Sequence, residues 1–371
     1  MSDSVNRRDL LKTGAAALAT VSGVSAVFGG NKTSAADSST TISAHTSDFP
    51  SGERKVALRF AHFTDTHVKP EGAAPSGMVA ALRHVHNLPA NRRPEFIVNG
   101  GDAIMDALGA SHDRTKAQFE LWNKIIKDEC PLPVEHIIGN HDVYGWQKSK
   151  SKATGAELEY GKKWVMENHQ MKTPYRAFDR AGWRFILLDS IMPGEEGTGA
   201  LYQALFDPEQ FDWLAEQVKE CSKPSSPYLC LISHIPIASI CAMFWSAQAE
   251  ETGKWQISGA LMHKDARKLK DLFAQNPKVR LCLSGHIHHV DRVDFQGVTY
   301  LCNGAVSGSW WHGDFQGCPP GYALMTLYAD GGFEREYIPW GWTPELAAKA
   351  KANARQDAAV TSESLTTSST S

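Results

Sequence analysis

Gly139-Asn140-His141-Asp142 follows a short apolar run, residues 134–138, and sits where a strand ends. Three consecutive side chains offer an amide oxygen, an imidazole and a carboxylate. Packing has no use for that trio in a row. A site that holds a metal and moves a proton does. Asn140 can ligate a hard cation through oxygen. His141 can meet a substrate oxygen beside that cation. Asp142 can fix the tautomer of His141.

Working outward, four further apolar runs end on side chains of the same kind. Residues 56–64 run into Asp65-Thr66-His67. Residues 95–99 run into Gly100-Gly101-Asp102. Residues 228–233 end at His234, and 279–284 at Gly285-His286-Ile287-His288. Helical spacing is predicted over 76–88, 113–128, 207–221 and 263–275, with Pro208 in a first turn. A hairpin is predicted over 175–189, turning near Ala181-Gly182, and antiparallel strands over 290–303 and 322–337. The order predicts an α/β chain with parallel strand–helix units first and meandering strands after. The donor residues then fall at strand carboxyl ends, where such folds place ligands.

Asp65, His67, Asp102, Asn140, His234, His286 and His288 exceed what one tetrahedral ion needs, so two metals are expected. Histidine, aspartate and asparagine without thiolate suit Zn, Mn or Fe, divalent or trivalent. Calcium would ask for oxygen almost exclusively. Two dications against two carboxylates leave a net charge of about +2, or about +1 with a bridging hydroxide. Such a site attracts an anion and clamps an in-line displacement. The expected chemistry is hydrolysis of a phosphoester.

The series D-x-H, G-D, G-N-H-D, H and G-H-x-H resembles the calcineurin-like metallophosphoesterases across roughly residues 56–305. The resemblance implies a four-layer α/β/β/α sandwich, two mixed sheets flanked by helices, in a domain over 55–340. It implies one metal on Asp65, His67 and His288, the other on Asn140, His234 and His286, and Asp102 bridging them. His141 would stabilise the transition state or protonate the leaving oxygen, oriented by Asp142, after attack by a metal-bridging hydroxide. Purple acid phosphatases carry a tyrosine three residues after the bridging aspartate; here Met105 stands there, so no tyrosinate–iron centre is expected. Protein phosphatases and 5′-nucleotidases usually read G-N-H-E. The G-N-H-D form is more similar to cyclic-nucleotide and glycerophosphodiester phosphodiesterases, so a phosphodiesterase is expected. A phosphomonoesterase of the same fold, or a non-catalytic metal-binding module, is the alternative.

Trp310-Trp311 follow the last histidines and either stack a substrate ring or edge the core; Phe244-Trp245 can form a second wall, and His312 can reach substrate. The remaining histidines, His62, His136 and His169 among them, are expected to pack or face solvent.

The net charge of −3 on 371 residues gives no polyanion-binding field, so no nucleic-acid scaffold partner is expected. The partner is a small-molecule phosphoester. Arg7-Arg8 precedes a mild apolar stretch, residues 14–28, too short for a membrane span. Residues 1–36 resemble a twin-arginine (Tat) signal. That implies the twin-arginine translocation machinery as a partner and a periplasmic or extracellular location. No Cys follows until Cys130, so no stable membrane anchor is indicated. Residues 37–54 and the C-terminal extension 341–371 are mostly too poor in apolar residues to order themselves. Of seven cysteines none forms C-x-x-C; Cys130, Cys221, Cys241 and Cys318 lie outside the apolar runs and can pair in an oxidising compartment.

Overall fold

A computed structural model describes residues 54–195, 199–245 and 249–343. The expected signal and nearly all of the linker and C-terminal extension lie outside the described residues.

The strands in chain order are β1 (Val56–Phe63), β2 (Phe96–Asn99), β3 (Val134–His136), β4 (Arg176–Arg180), β5 (Trp183–Leu187), β6 (Ile191–Pro193) and β7 (Tyr202–Ala204). Then come β8 (Tyr228–Ile232), β9 (Val279–Ser284), β10 (Val290–Phe295), β11 (Val298–Asn303), β12 (Gly321–Tyr328) and β13 (Phe333–Pro339). One sheet has the order β13-β12-β1-β2-β3, the other β10-β11-β9-β8-β5-β4. β1, β2 and β3 are mutually parallel, as are β5, β8, β9 and β11. The flanking strands β12, β13, β4 and β10 pair antiparallel, so both sheets are mixed.

Strands buried on both faces read as continuous apolar runs. In β1, Leu58 and Phe60 point into the layer between the sheets, while Ala61 and Phe63 point outward. In β5, Trp183, Phe185 and Leu187 take the inner side and Ile186 the outer. Phe60 stacks on Phe96 at 5.3 Å and meets Phe185 of the other sheet edge-on at 5.3 Å. Each such ring contributes about 1.5–3 kcal/mol by burial.

Helices α1 (Ala74–His86) and α2 (His112–Glu129) close the outer face of the first sheet. Helices α3 (Pro208–Glu220) and α4 (Ala266–Phe273) close that of the second. The result is the four-layer sandwich expected from the sequence. The Ser111 hydroxyl caps α2 by accepting from the Arg114 N–H, and the Asp207 carboxylate caps α3 by accepting from the Gln210 N–H. The expected helix over 263–275 starts later. The N–H groups of His263 and Lys264 are already given to the Pro236 and Ala204 carbonyls. The β6–β7 hairpin was not foreseen. All seven cysteines, Cys130, Cys221, Cys241 and Cys318 included, are free thiols. No helix among the described residues is long and apolar enough to cross a membrane.

Candidate metal centre

Parallel strands align their carboxyl ends on one edge, and both sheets bring that edge to the same place. Beyond β1 lie Asp65 and His67, and beyond β2 lies Asp102. After β3 a single 3₁₀ turn, Asn140–Asp142, presents Asn140. His234 follows β8, and His286 and His288 follow β9. Donor atoms of Asp65, His67 and His288 lie within 4.8 Å of one another, as do those of Asp102, His234 and His286. Asp102 also groups with His67 and His141. Its Oδ2 is 3.3 Å from His234 Nε2 and 3.7 Å from His67 Nε2, so one oxygen faces both sets. Asn140 Oδ1 is 3.2 Å from His234 Nε2.

The donor set fits metal ions. Ligands about 2.1 Å from a common ion stand roughly 3.0–3.4 Å apart in octahedral or tetrahedral geometry. Here His67 Nε2 is 3.1 Å from His288 Nε2, and His288 Nε2 is 3.3 Å from Asp65 Oδ1. Asp65 Oδ1 is buried with no hydrogen-bond partner. Asp65, His67 and His234 are wholly buried, a costly place for charge without a counter-ion. Burial opposes ionisation of Asp65, but His288 beside it holds its carboxyl below the ordinary range. Burial likewise opposes the Asp102 charge, and His234 and His141 outweigh it. Burial pushes His234 down, yet Asp102 holds it up at about 9.

The conserved sequence pattern of the calcineurin-like phosphoesterases matches residues 58–290, more than half of the chain. The chain belongs to the calcineurin-like phosphoesterase family. With the clustered histidines and aspartates, it is a metal-dependent phosphoesterase. A probable cyclic nucleotide phosphodiesterase of Synechococcus sp. is 26% identical over 289 residues, covering 77% of this chain and 93% of that protein. A 3′,5′-cyclic-nucleotide phosphodiesterase of Nostoc sp. is 28% identical, covering 75% and 90%. Among solved structures, a dimetal phosphatase from Danio rerio aligns at 15% identity and a TM-score of 0.49, covering 74% of this chain and 94% of that one.

The phosphoesterase positions its ligands through backbone carbonyls. His234 Nδ1 bonds to the Gly100 carbonyl at 2.8 Å, His288 Nδ1 to Gly308 at 2.6 Å, and His286 Nε2 to Ala260 at 2.8 Å. Each bond fixes a ring and leaves its other nitrogen for the cluster. Asp65 Oδ2 accepts from the Thr64 hydroxyl and the His286 N–H, which leaves Oδ1 free. Asp102 Oδ1 accepts from the His141 N–H at 2.8 Å, which leaves Oδ2 free. Five of the seven candidate ligands are non-glycine residues at positive φ: Asp65, His67, Asp102, His286 and His288. Strain of about 1–3 kcal/mol per residue persists only where surrounding bonds over-determine it. No glycine in the sequence marks these positions, and composition did not reveal as supports Thr64, the three carbonyls or Ser307, whose hydroxyl donates to the Asp65 carbonyl at 2.7 Å.

The Asp142 carboxylate bonds to the backbone rather than to His141, whose Nδ1 has no hydrogen-bond partner. It accepts from the Gly139 N–H at 2.9 Å and the Ile104 N–H at 3.2 Å, bracing the turn that carries Asn140. Burial and the Asp102 charge push this carboxyl up to about 7 despite those bonds. The carboxylate facing His141 Nδ1 is Asp106, at 4.0 Å. Of the two places open to the tryptophan pair, Trp311 takes the core edge. It is 4% exposed, packs on Trp340 and Trp342, and donates its Nε1–H to the Thr66 and His67 carbonyls. Trp310, by contrast, lies against His288 and His67. His312 is exposed. Phe244 is 74% exposed, and Trp245 stacks on Phe315.

Proposed function

We propose that this phosphoesterase hydrolyses phosphodiesters, with Asp65, His67 and His288 holding one ion and Asn140, His234 and His286 the other. The observation that carries the two-ion reading is the single Asp102 oxygen shared by both donor sets. The diester reading is supported by the G-N-H-D form and by the relatives named as cyclic nucleotide phosphodiesterases. When bound, the ions supply Lewis acidity and lower the pKa of water enough for attack at neutral pH.

The chain's own residues do the rest. Asp102 keeps the two sets in register. His141, attached to Asp102 through its backbone and 12% exposed at its side chain, donates a proton to the leaving oxygen. Asp106 is the carboxylate closest to its Nδ1 among those the structure pairs with it, at 4.0 Å and without a direct hydrogen bond.

The test uses protein from residue 37 onward, stripped and reloaded with Mn, Fe or Zn. Turnover of bis(p-nitrophenyl) phosphate should exceed that of p-nitrophenyl phosphate. The reverse ratio makes it a phosphomonoesterase. We also infer export to the periplasm or beyond by the twin-arginine route, from Arg7-Arg8 and the short apolar stretch after them. Arg7→Lys with Arg8→Lys should leave the protein inside the cell on fractionation; unchanged export refutes that route.

A further inference from the structure

Trp310 is placed to read what the phosphoester carries. Its ring centroid is 4.6 Å from that of His288 and 5.9 Å from that of His67, two candidate ligands of the same ion. Phe315 meets Trp310 edge-on at 5.5 Å, and Trp245 stacks on Phe315 at 5.8 Å with the planes 8° apart. All three rings are partly exposed. They form a continuous aromatic wall that begins beside the metal centre.

The backbone under this wall is under strain. Trp310 and Trp311 have φ of 49° and 71°, in the left-handed region that bulky residues avoid. Consecutive outliers of this kind point to a required side-chain direction. Trp311 meets the requirement by anchoring: its indole N–H is given to the strand end that carries His67. Gly308 anchors the same loop through its carbonyl on His288. Trp310 makes no such bond. Anchored on both sides, the loop holds its ring against the ligand histidines with part of its surface open.

We propose that Trp310, backed by Phe315 and Trp245, is a stacking platform for a flat aromatic group of the substrate, a nucleobase in particular. This rests on the phosphodiester reading above and decides between its two classes: base-bearing diesters over aliphatic glycerophosphodiesters. A nucleobase offers a π face whatever its identity, so the platform confers preference for the class rather than for one base.

The experiment compares 3′,5′-cyclic AMP with glycerophosphoethanolamine on metal-loaded protein, wild type against Trp310→Leu and Trp310→Phe. It adds equilibrium dialysis of adenosine 5′-monophosphate and glycerol 3-phosphate, which needs no turnover. In Trp310→Leu the KM for the cyclic nucleotide should rise at least about 5-fold more than that for the aliphatic diester, the low end of base–aromatic stacking. Adenosine monophosphate should lose affinity by a similar factor relative to glycerol phosphate, and Trp310→Phe should recover most of both. Equal losses on both substrates, or loss of metal in both variants, would make Trp310 a prop for His288 and overturn the proposal. No change in either ratio also overturns it. Should wild type cleave only monoesters, the diester reading falls alone, and the dialysis ratio still decides for or against the wall.

Discussion

Gly139→Ala tests the centre most sharply, because the expected harm is purely steric. Gly139 has φ −98° and ψ 169°, extended backbone that alanine adopts without strain. A Cβ there would lie 2.1 Å from the Asp102 nitrogen and 2.2 Å from Asp102 Oδ1, where ordinary contact begins at 3.4 Å. The turn and Asp102 must therefore separate by roughly 1 Å, and neither is free to do so. Asp102 N is main chain, and its Oδ1 holds the His141 N–H. Overpacking of this kind costs about 1–3 kcal/mol. For a domain of this size that lowers the melting temperature by about 2–5 °C. The larger effect is on chemistry, since about 1 Å of misplacement is worth about 10²-fold in rate. Melting, metal content by mass spectrometry and kcat on bis(p-nitrophenyl) phosphate read all three. Gly297→Ala, in the turn between β10 and β11, meets nothing within 4 Å but stands at φ 81°, so it controls for metal content and turnover and not for melting. A Gly139→Ala protein that binds two ions and turns over within twofold of wild type would refute the reasoning.

His141→Ala should lower kcat by about 10²- to 10⁴-fold while both ions remain bound; full diester turnover removes its proton role. Asp142→Asn turns one of two backbone acceptors into an NH₂ facing an N–H, and should cost about 1–3 kcal/mol in urea unfolding, whereas equal stability would contradict the bracing role. His169 is buried, stacks on His136 at 4.3 Å, has no partner on either ring nitrogen, and is held down to about 3 by burial. Unfolded, it titrates near 6.5, so below that pH the unfolded chain takes up a proton that the fold refuses, and stability falls as pH falls toward 3. His169→Phe should keep the ring packing and remove about 2 kcal/mol of the loss between pH 7 and 5; parallel profiles for the two proteins would show that His169 is not the group responsible. A chelator should abolish turnover and lower the melting temperature, with Mn, Fe or Zn restoring both, and an unmoved melting temperature would argue against ions held by this buried set.

The sandwich was legible because its strands are buried on both sides. Runs such as 56–64 and 228–233 are mostly apolar, the first broken by Arg59 and His62, and each ends on a hydroxyl residue just before a candidate ligand at the sheet edge. The candidate ligands were legible for the same reason, since Asp65, Asp102, Asn140, His234 and His286 each stand just past such a stop. β6 and β7 were missed because each is three residues long and, unlike β3, neither leads into a donor motif such as Gly139-Asn140-His141-Asp142.

What the sequence could not show is direction. Asp142 adjoins His141 in the chain whereas Asp106 stands far before it, and only the fold decides which one faces the imidazole. In an extended strand, neighbouring side chains would point to opposite faces, and by that rule Asp65 and His67 share a face while Thr66 does not. Beyond the strand ends the rule fails, because Asp65, His67, Asp102, His286 and His288 have left the strand region for positive φ. The same holds for Trp310 and Trp311, alike in composition and adjacent, one anchored under the ligand strand and the other laid against the histidines. Apolar periodicity governs the sandwich; at the metal edge, hydrogen bonds to the Gly100, Gly308 and Ala260 carbonyls and from the Thr64 hydroxyl set the geometry instead. Changing those supports should disturb the centre while the layers below it stay intact.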